Sequence, residues 1–255
     1  MKKFLNKQKT PVVICAIAII AVFIVLVVLI VSYSTAKANL GKQQQWTSGK
    51  DSFDKAYEIA ASDKDTPDKT LYVPNLTNLI GKTVDEAIVS IGQGAAAVST
   101  SPATDTDSGA VLQTVINLNN ESANIKTGTP NVVAYTNRGG HIVKASFTCD
   151  ARLLGYGNFS FVVLVDNVHI IENTLAEAGL NIDVGSVHAP TNRASYTTYA
   201  SDGTTVVTEN STFSGDKFQN GRYYKWSSNL NFDYSIANAK GDLSETIRLI
   251  SIEIW

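Results

Sequence analysis

Phe213-Ser214-Gly215-Asp216-Lys217-Phe218, then Gln219-Asn220-Gly221-Arg222, then Tyr223-Tyr224-Lys225-Trp226 and on to Tyr234, is the stretch that decides how the C-terminal half reads. Asn-Gly suits a turn whose central residues need positive φ, so residues 213–218 and 223–234 read as two antiparallel strands. A second hairpin, residues 195–199 and 204–209, flanks Ser201-Asp202-Gly203. At the end of the chain Leu249, Ser251 and Glu253 alternate with Ile250, Ile252 and Ile254, which is the pattern of a final strand. Upstream, residues 131–135 and 141–149 flank Asn137-Arg138-Gly139-Gly140, another hairpin connection. Between these, residues 169–179 read as a helix with Ile170, Ile171, Leu175 and Ala178 inward and Gly179 as its C-cap. Residues 129–255 are therefore expected to form an α+β domain, four to six antiparallel strands around one main helix.

The other end of the chain is apolar from Pro11 to Val31, preceded by Lys2, Lys3, Lys7 and Lys9. As a helix these residues span about 32 Å at about 1.5 Å per residue, the thickness of a hydrocarbon core. Residues 11–32 are thus expected to cross a membrane, with the lysine-rich head, residues 1–10, cytoplasmic. A cleaved signal peptide is the competing reading, because Ala36-Lys37-Ala38 has a small-x-small form, but its apolar core runs only about 7–15 residues. Cys15 has nearly all of the apolar run after it and reads as a thiol in lipid rather than an acylation site. Beyond residue 32 lie 17 Lys and Arg against 23 Asp and Glu, a net of −6. That balance argues against nucleic acid as a partner. Cys149 is the one cysteine outside the apolar run, so no disulfide pair staples the exported part. Residues 33–71, with Gln43-Gln44-Gln45 and few apolar side chains, read as a linker with a short helix over 51–62. Such a tether reaches about 35 Å.

At Leu71 the pattern changes. Val73-Pro74-Asn75-Leu76 leads to Gly81-Lys82-Thr83-Val84-Asp85-Glu86-Ala87, with Ile88 and Ile91 on one helical face. Thr83 and Glu86 form a capping box that starts a helix. Residues 95–98 and 111–118 then read as strands, with a turn-rich stretch over 101–109 between them. This order of strand, helix, strand, strand resembles a PASTA domain, a small extracytoplasmic module of bacterial penicillin-binding proteins and serine/threonine kinases. The resemblance covers residues 72–119: Val73-Pro74 matches the opening dipeptide, Gly81 the glycine before the helix, Ala87 the buried helical alanine and Ser101-Pro102 the loop before the hairpin. Thr77-Asn78-Leu79 stands as an insertion, and residues 103–108 lack the usual Pro-Gly turn. The resemblance implies a βαββ module over residues 72–128 and, as in some family members, recognition of uncrosslinked peptidoglycan. It carries over no ligand residues. A weaker echo links residues 84–98 to residues 168–184, where Ala176-Glu177-Ala178-Gly179-Leu180 precedes Ile182 and Val184.

No residue pattern specifies catalysis. Ser34-Thr35-Ala36-Lys37, Ser122-Ala123-Asn124 and Lys126-Thr127-Gly128 imitate the three motifs of penicillin-binding enzymes, but the first abuts the apolar run and one residue separates the other two. His141, His169 and His188 are scattered, with surface places expected for all three, and neither Asp65 with Asp68 nor Asp105 with Asp107 has the glycine and distal glutamate of a calcium loop. No catalytic, metal or cofactor residue is expected. Tyr196, Tyr199, Phe213, Tyr223, Tyr224, Trp226, Phe232 and Tyr234 offer rings on both faces of a sheet, to pack the core or to stack on a saccharide or peptide. The sequons at Asn75, Asn120, Asn158 and Asn210 matter only in a eukaryotic secretory pathway. The expectation is a single-pass, membrane-anchored extracytoplasmic binding protein of the bacterial envelope that recognises peptidoglycan fragments and is not an enzyme. The alternatives are a spacer or partner subunit of an envelope complex, or an enzyme with an unread site in residues 129–255.

Overall fold

Eight strands join edge to edge in one antiparallel sheet, in the order β1-β2-β3-β4-β8-β7-β6-β5. They are β1 Ala96–Pro102, β2 Leu112–Asn117, β3 Asn131–Thr136, β4 Ile142–Asp150, β5 Thr197–Tyr199, β6 Val206–Gln219, β7 Arg222–Asp233 and β8 Ile247–Ile254. Among the described residues four short α-helices accompany them: α1 Val84–Ile91, α2 Phe161–Asp166, α3 Ile170–Glu177 and α4 Ser235–Lys240. The structure is a computed structural model that describes residues 67–104, 108–118 and 126–255. The expected cytoplasmic head, the membrane span over 11–32, and the helix over 51–62 lie outside the described residues. Among the described residues no helix is long and apolar enough to cross a membrane.

This corrects the expected fold class. The described residues form mostly one antiparallel sheet with few helices, not an α+β arrangement in which a βαββ unit precedes a separate antiparallel sheet. The strands expected of the two units run side by side, because β2 pairs with β3 along its whole length, from Leu112 opposite Thr136 to Asn117 opposite Asn131. Ile116 and Leu118 then share one core with Val132, Phe147 and Ile252. The expected opening strand is absent as well. Leu71, Val73, Leu76 and Leu79 are buried, but their backbone pairs outside the sheet. The Leu71 amide donates to the Leu153 carbonyl, Gln93 bonds both backbone groups of Tyr72, and residues 76–78 form a 3-10 turn capped by Asn75. The segment plugs the core with side chains and satisfies its polar groups outside the sheet.

The capping box forms. Thr83 accepts from the Glu86 amide, Glu86 reaches back to the Thr83 amide at 2.8 Å, and Ala87 and Ile91 of the helix it starts are buried. In the C-terminal half the two expected hairpins share a strand: residues 204–209 and 213–218 merge into the 14-residue β6. No glycine or proline breaks Asn210-Ser211-Thr212, and these pair in register with Asn231, Leu230 and Asn229.

Each half of the sheet is a helix followed by a four-stranded meander, α1 with β1–β4 and α3 with β5–β8, and the last strands of the two meanders pair at the centre. The two segments of the sequence echo hold the helix that precedes each meander. Gly179 follows α3 at φ +90°, and a Cβ there would lie 2.3 Å from both Asn75 Oδ1 and Thr77 Oγ1. Glycine is required at this crossing for conformation and for space.

Helices α1, α2 and α3 pack on a single face of the sheet, in a core with Val132, Phe147, Leu230, Phe232, Ile250 and Ile252. Phe161 of α2 stacks on Tyr196 with centroids 5.0 Å apart and meets Phe232 edge-on at 5.5 Å. Glu209, buried on this face, accepts from Arg193 at 2.9 Å and from the Tyr234 hydroxyl. Arg248, also buried, donates to the Thr246 carbonyl at 3.0 Å, and burial lowers its guanidinium to about 9. It remains a cation at neutral pH.

Candidate functional site

The opposite face carries the second half of every strand's alternation. One row across it reads Ser214, Ser227, Glu253, Ser146, Val133 and Val115; the next reads Thr212, Asn229, Ser251, Thr148, Asn131 and Asn117. Period-two alternation puts these hydroxyls and amides on one surface while Trp226, Ile252 and Phe147 go to the core. Many bond to one another. Asn229 donates to Thr212 at 3.0 Å and to Asn210 at 2.9 Å, Asn210 donates to Asn231 at 3.1 Å, and the Thr148 and Ser251 hydroxyls are 2.9 Å apart.

A cleft of about 780 Å³ opens on this face, lined by Lys144, Thr212, Ser214, Tyr223, Ser227, Glu253 and Trp255 among others. Its most constrained group is Lys144, whose side chain is only 7% exposed. The Lys144 ammonium lies 2.9 Å from Glu253 and sits between two rings, 5.1 Å from the centroid of Tyr135 and 5.0 Å from that of Trp255. Ring faces and one carboxylate replace the water it has lost. That holds Glu253 and Trp255 in fixed positions at the cleft wall. The cleft thus presents hydroxyls, one oriented carboxylate and ring faces, and these are groups that recognise a ligand.

Most of the rings named from sequence go elsewhere. Tyr196, Tyr224, Trp226, Phe232 and Tyr234 are buried and Phe213 packs against the core, so packing wins at these positions. Tyr223 and Tyr199 stay exposed. Trp226 spreads over Gly215 opposite, where an added Cβ would lie 2.9 Å from its ring. Sequence reasoning missed Tyr135, Lys144, Glu253 and Trp255. The signal was present for Trp255, which continues the Leu249, Ser251, Glu253 alternation by one step.

The histidines are dispersed. His141 is exposed beside the Gly81 carbonyl at 3.1 Å, and exposed His188 lies 3.7 Å from Asp166. His169 is not on the helix surface as expected: it precedes α3 in the left-handed region at φ +55°, half-buried and 3.9 Å from Glu172. Buried Glu172 accepts from the Gly185 and Val187 amides, each at 3.1 Å, and so ties the following loop to α3. Among the described residues no three His, Cys, Asp or Glu side chains gather as metal ligands. Asp65, Asp105, Asp107, Ser34-Thr35-Ala36-Lys37 and Ser122-Ala123-Asn124 lie outside the described residues. No protein-family model, curated protein or solved structure matches the chain.

Proposed function

We propose that the chain is a membrane-anchored, extracytoplasmic binding protein of the cell envelope whose open-face cleft takes a hydroxyl-rich ligand of the peptidoglycan-fragment class. The observation that carries the reading is the cleft itself, with its hydroxyl-lined floor and a carboxylate and indole held in place by Lys144. Sugar rings offer C–H faces to aromatic rings and hydroxyls to serine, threonine and carboxylate groups. The anchor rests on the apolar run from Pro11 to Val31 and the four lysines before it. Binding is weak, with a Kd on the order of 1 mM or about −4 kcal/mol, because an open sheet face covers little of a ligand.

The test is a titration of the full chain in detergent micelles with soluble muropeptides, read by tryptophan fluorescence. A saturable change that Trp255→Ala removes supports the reading. No change at millimolar ligand overturns it. A different observation favours the partner-subunit alternative: all seven residues of β1, an edge strand without a charged side chain, are exposed, and such an edge can accept an added strand from another protein.

A further inference from the structure

The open face continues past the cleft along the β6–β7 hairpin. Lys225 and Trp255 exchange backbone hydrogen bonds at 2.9 and 3.0 Å, the last contact of β7 with the end of the chain, whereas β6 and β7 stay paired out to Gln219 opposite Arg222. Four cross-strand pairs of one parity run toward the tip: Thr212 with Asn229, Ser214 with Ser227, Asp216 with Lys225 and Phe218 with Tyr223. Alternation puts all of them on the open face. The strip grades from amide and hydroxyl through one charge of each sign to a pair of rings. From Thr212 to Phe218 it spans about 20 Å, at about 3.3 Å per residue. A single sugar ring covers only part of that length.

Core packing does not account for the ring pair, because the core lies on the other face. Phe218 is 57% and Tyr223 71% exposed, with centroids 5.0 Å apart. A cross-strand ring pair supports a hairpin, but at these exposures both rings leave most of their apolar surface in water. Tyr223 lines the cleft. It stands one step beyond Lys225, so its ring continues the wall that Trp255 begins. The charged side chains of the tip's other face are already engaged: Arg222 lies over the Tyr224 ring at 5.2 Å, and Lys217 is 3.5 Å from Asp183. Gln219 donates to the Gly179 carbonyl at 2.7 Å and accepts from the Asn181 amide at 2.9 Å. The extension is thereby held in place before any ligand arrives, which lowers the cost of binding on it.

We propose that Phe218 and Tyr223 form a second stacking platform in line with the cleft, and that the occupant is a linear glycan of several sugar rings lying along the hairpin. One sugar lies over Trp255, Ser214 and Ser227, and a further one over the tip rings. The inference rests on the saccharide-binding reading of the cleft given above. The charged side chains lining the cleft are Lys144, Lys225, Asp216 and Glu253, two of each sign, so the strip favours neither a polyanion nor a polycation. Rings in line with hydroxyls match a chain whose units present C–H faces and hydroxyl edges.

The test titrates the full chain in detergent micelles with peptidoglycan glycans stripped of their peptides, a disaccharide and a tetrasaccharide, read by tryptophan fluorescence. The tetrasaccharide is expected to bind about 3- to 10-fold more tightly than the disaccharide, the gain from one further stacked ring. Phe218→Ser combined with Tyr223→Ser should abolish that gain and leave the disaccharide affinity unchanged. Both rings are exposed, so this variant should melt with wild type. Tyr223→Phe keeps the ring and should keep the gain, and its loss there overturns stacking as the cause. Equal affinity of wild type for the two lengths overturns the proposal, as does a gain that survives removal of both rings. An equal loss for both lengths in the double variant also overturns it, because the pair would then serve only to hold the hairpin. Muropeptides in the same titration separate the two readings. If they bind and neither stripped glycan does, the glycan placement falls and the cleft reading stands. If none of the three binds at millimolar concentration, both fall together.

Discussion

The two faces of the sheet are built from the same strands and have little else in common. On the covered face Trp226, Leu230 and Phe232 of β7 stand beside Ile250, Ile252 and Ile254 of β8, all buried. On the open face the intervening positions are Ser227, Asn229 and Asn231 beside Ser251 and Glu253. Alternation alone separates them, so stability and recognition are assigned to opposite parities of one strand. The lesson is that changes on the first face should cost stability whatever the ligand, and changes on the second should cost binding at nearly constant stability.

The largest expected effect lies where a helix meets the covered face. Ala87 is fully buried, so Ala87→Glu places an unpaired charge in the core and should cost about 3–5 kcal/mol. Equilibrium denaturation measures it, and an unchanged midpoint would break the comparison at once. Gly179→Ala should cost about 2 kcal/mol, because it forces an L-residue into the left-handed region and drives a methyl onto Asn75 and Thr77. The same denaturation series reads it. Removal of the Thr83 side chain by Thr83→Ala loses an N-cap and should cost about 1 kcal/mol.

Against these, Ser227→Ala on the open face should change stability by less than about 0.5 kcal/mol. It removes one hydroxyl from the cleft, and muropeptide titration should show weaker binding while the melting temperature stays put. A loss of stability comparable to that of Gly179→Ala would show that the open face is structural, and the two faces would no longer differ in role.

Much of this division was legible beforehand, and the part that was not has a common cause. Asn220-Gly221 and Ser201-Asp202-Gly203 announce their turns through residues that tolerate positive φ or cap the turn, and the capping box of Thr83 and Glu86 depends on a spacing of three. These are local features. The pairing of β4 with β8 joins residues about a hundred positions apart, as does the contact of Lys144 with Glu253, and nothing local predicts either. The ring residues show the same limit. Tyr223 and Tyr224 are neighbours of equal intrinsic preference, and only the register against β6 sends one to solvent and the other to the core. The βαββ expectation failed for a related reason: Val73 and Leu76 have the side chains of a strand, but Gln93, Leu153 and Asn75 satisfy that backbone outside the sheet.

The smallest effect belongs to the rim, outside both faces. Hydrogen bonds from Thr205 and Thr204 hold the Asp202 carboxyl down to about 2, and Lys240 and Lys126 do the same for Glu245. Both folded values lie below the ordinary carboxylate value of about 4. The unfolded chain therefore binds protons first as pH falls, and the stabilisation that these groups supply is complete above about pH 4 and lost as pH drops through about 2. Asp202 is exposed and Glu245 partly so, and salt and solvent screen the effect. Melting curves of wild type and of Glu245→Gln should differ slightly at pH 7 and converge near pH 2. A difference that persists unchanged to pH 2 would mean that Glu245 acts through packing rather than charge. If it acts through charge, the contact between Lys126, ahead of β3, and Glu245, ahead of β8, is an ion pair that links the two meanders across the rim.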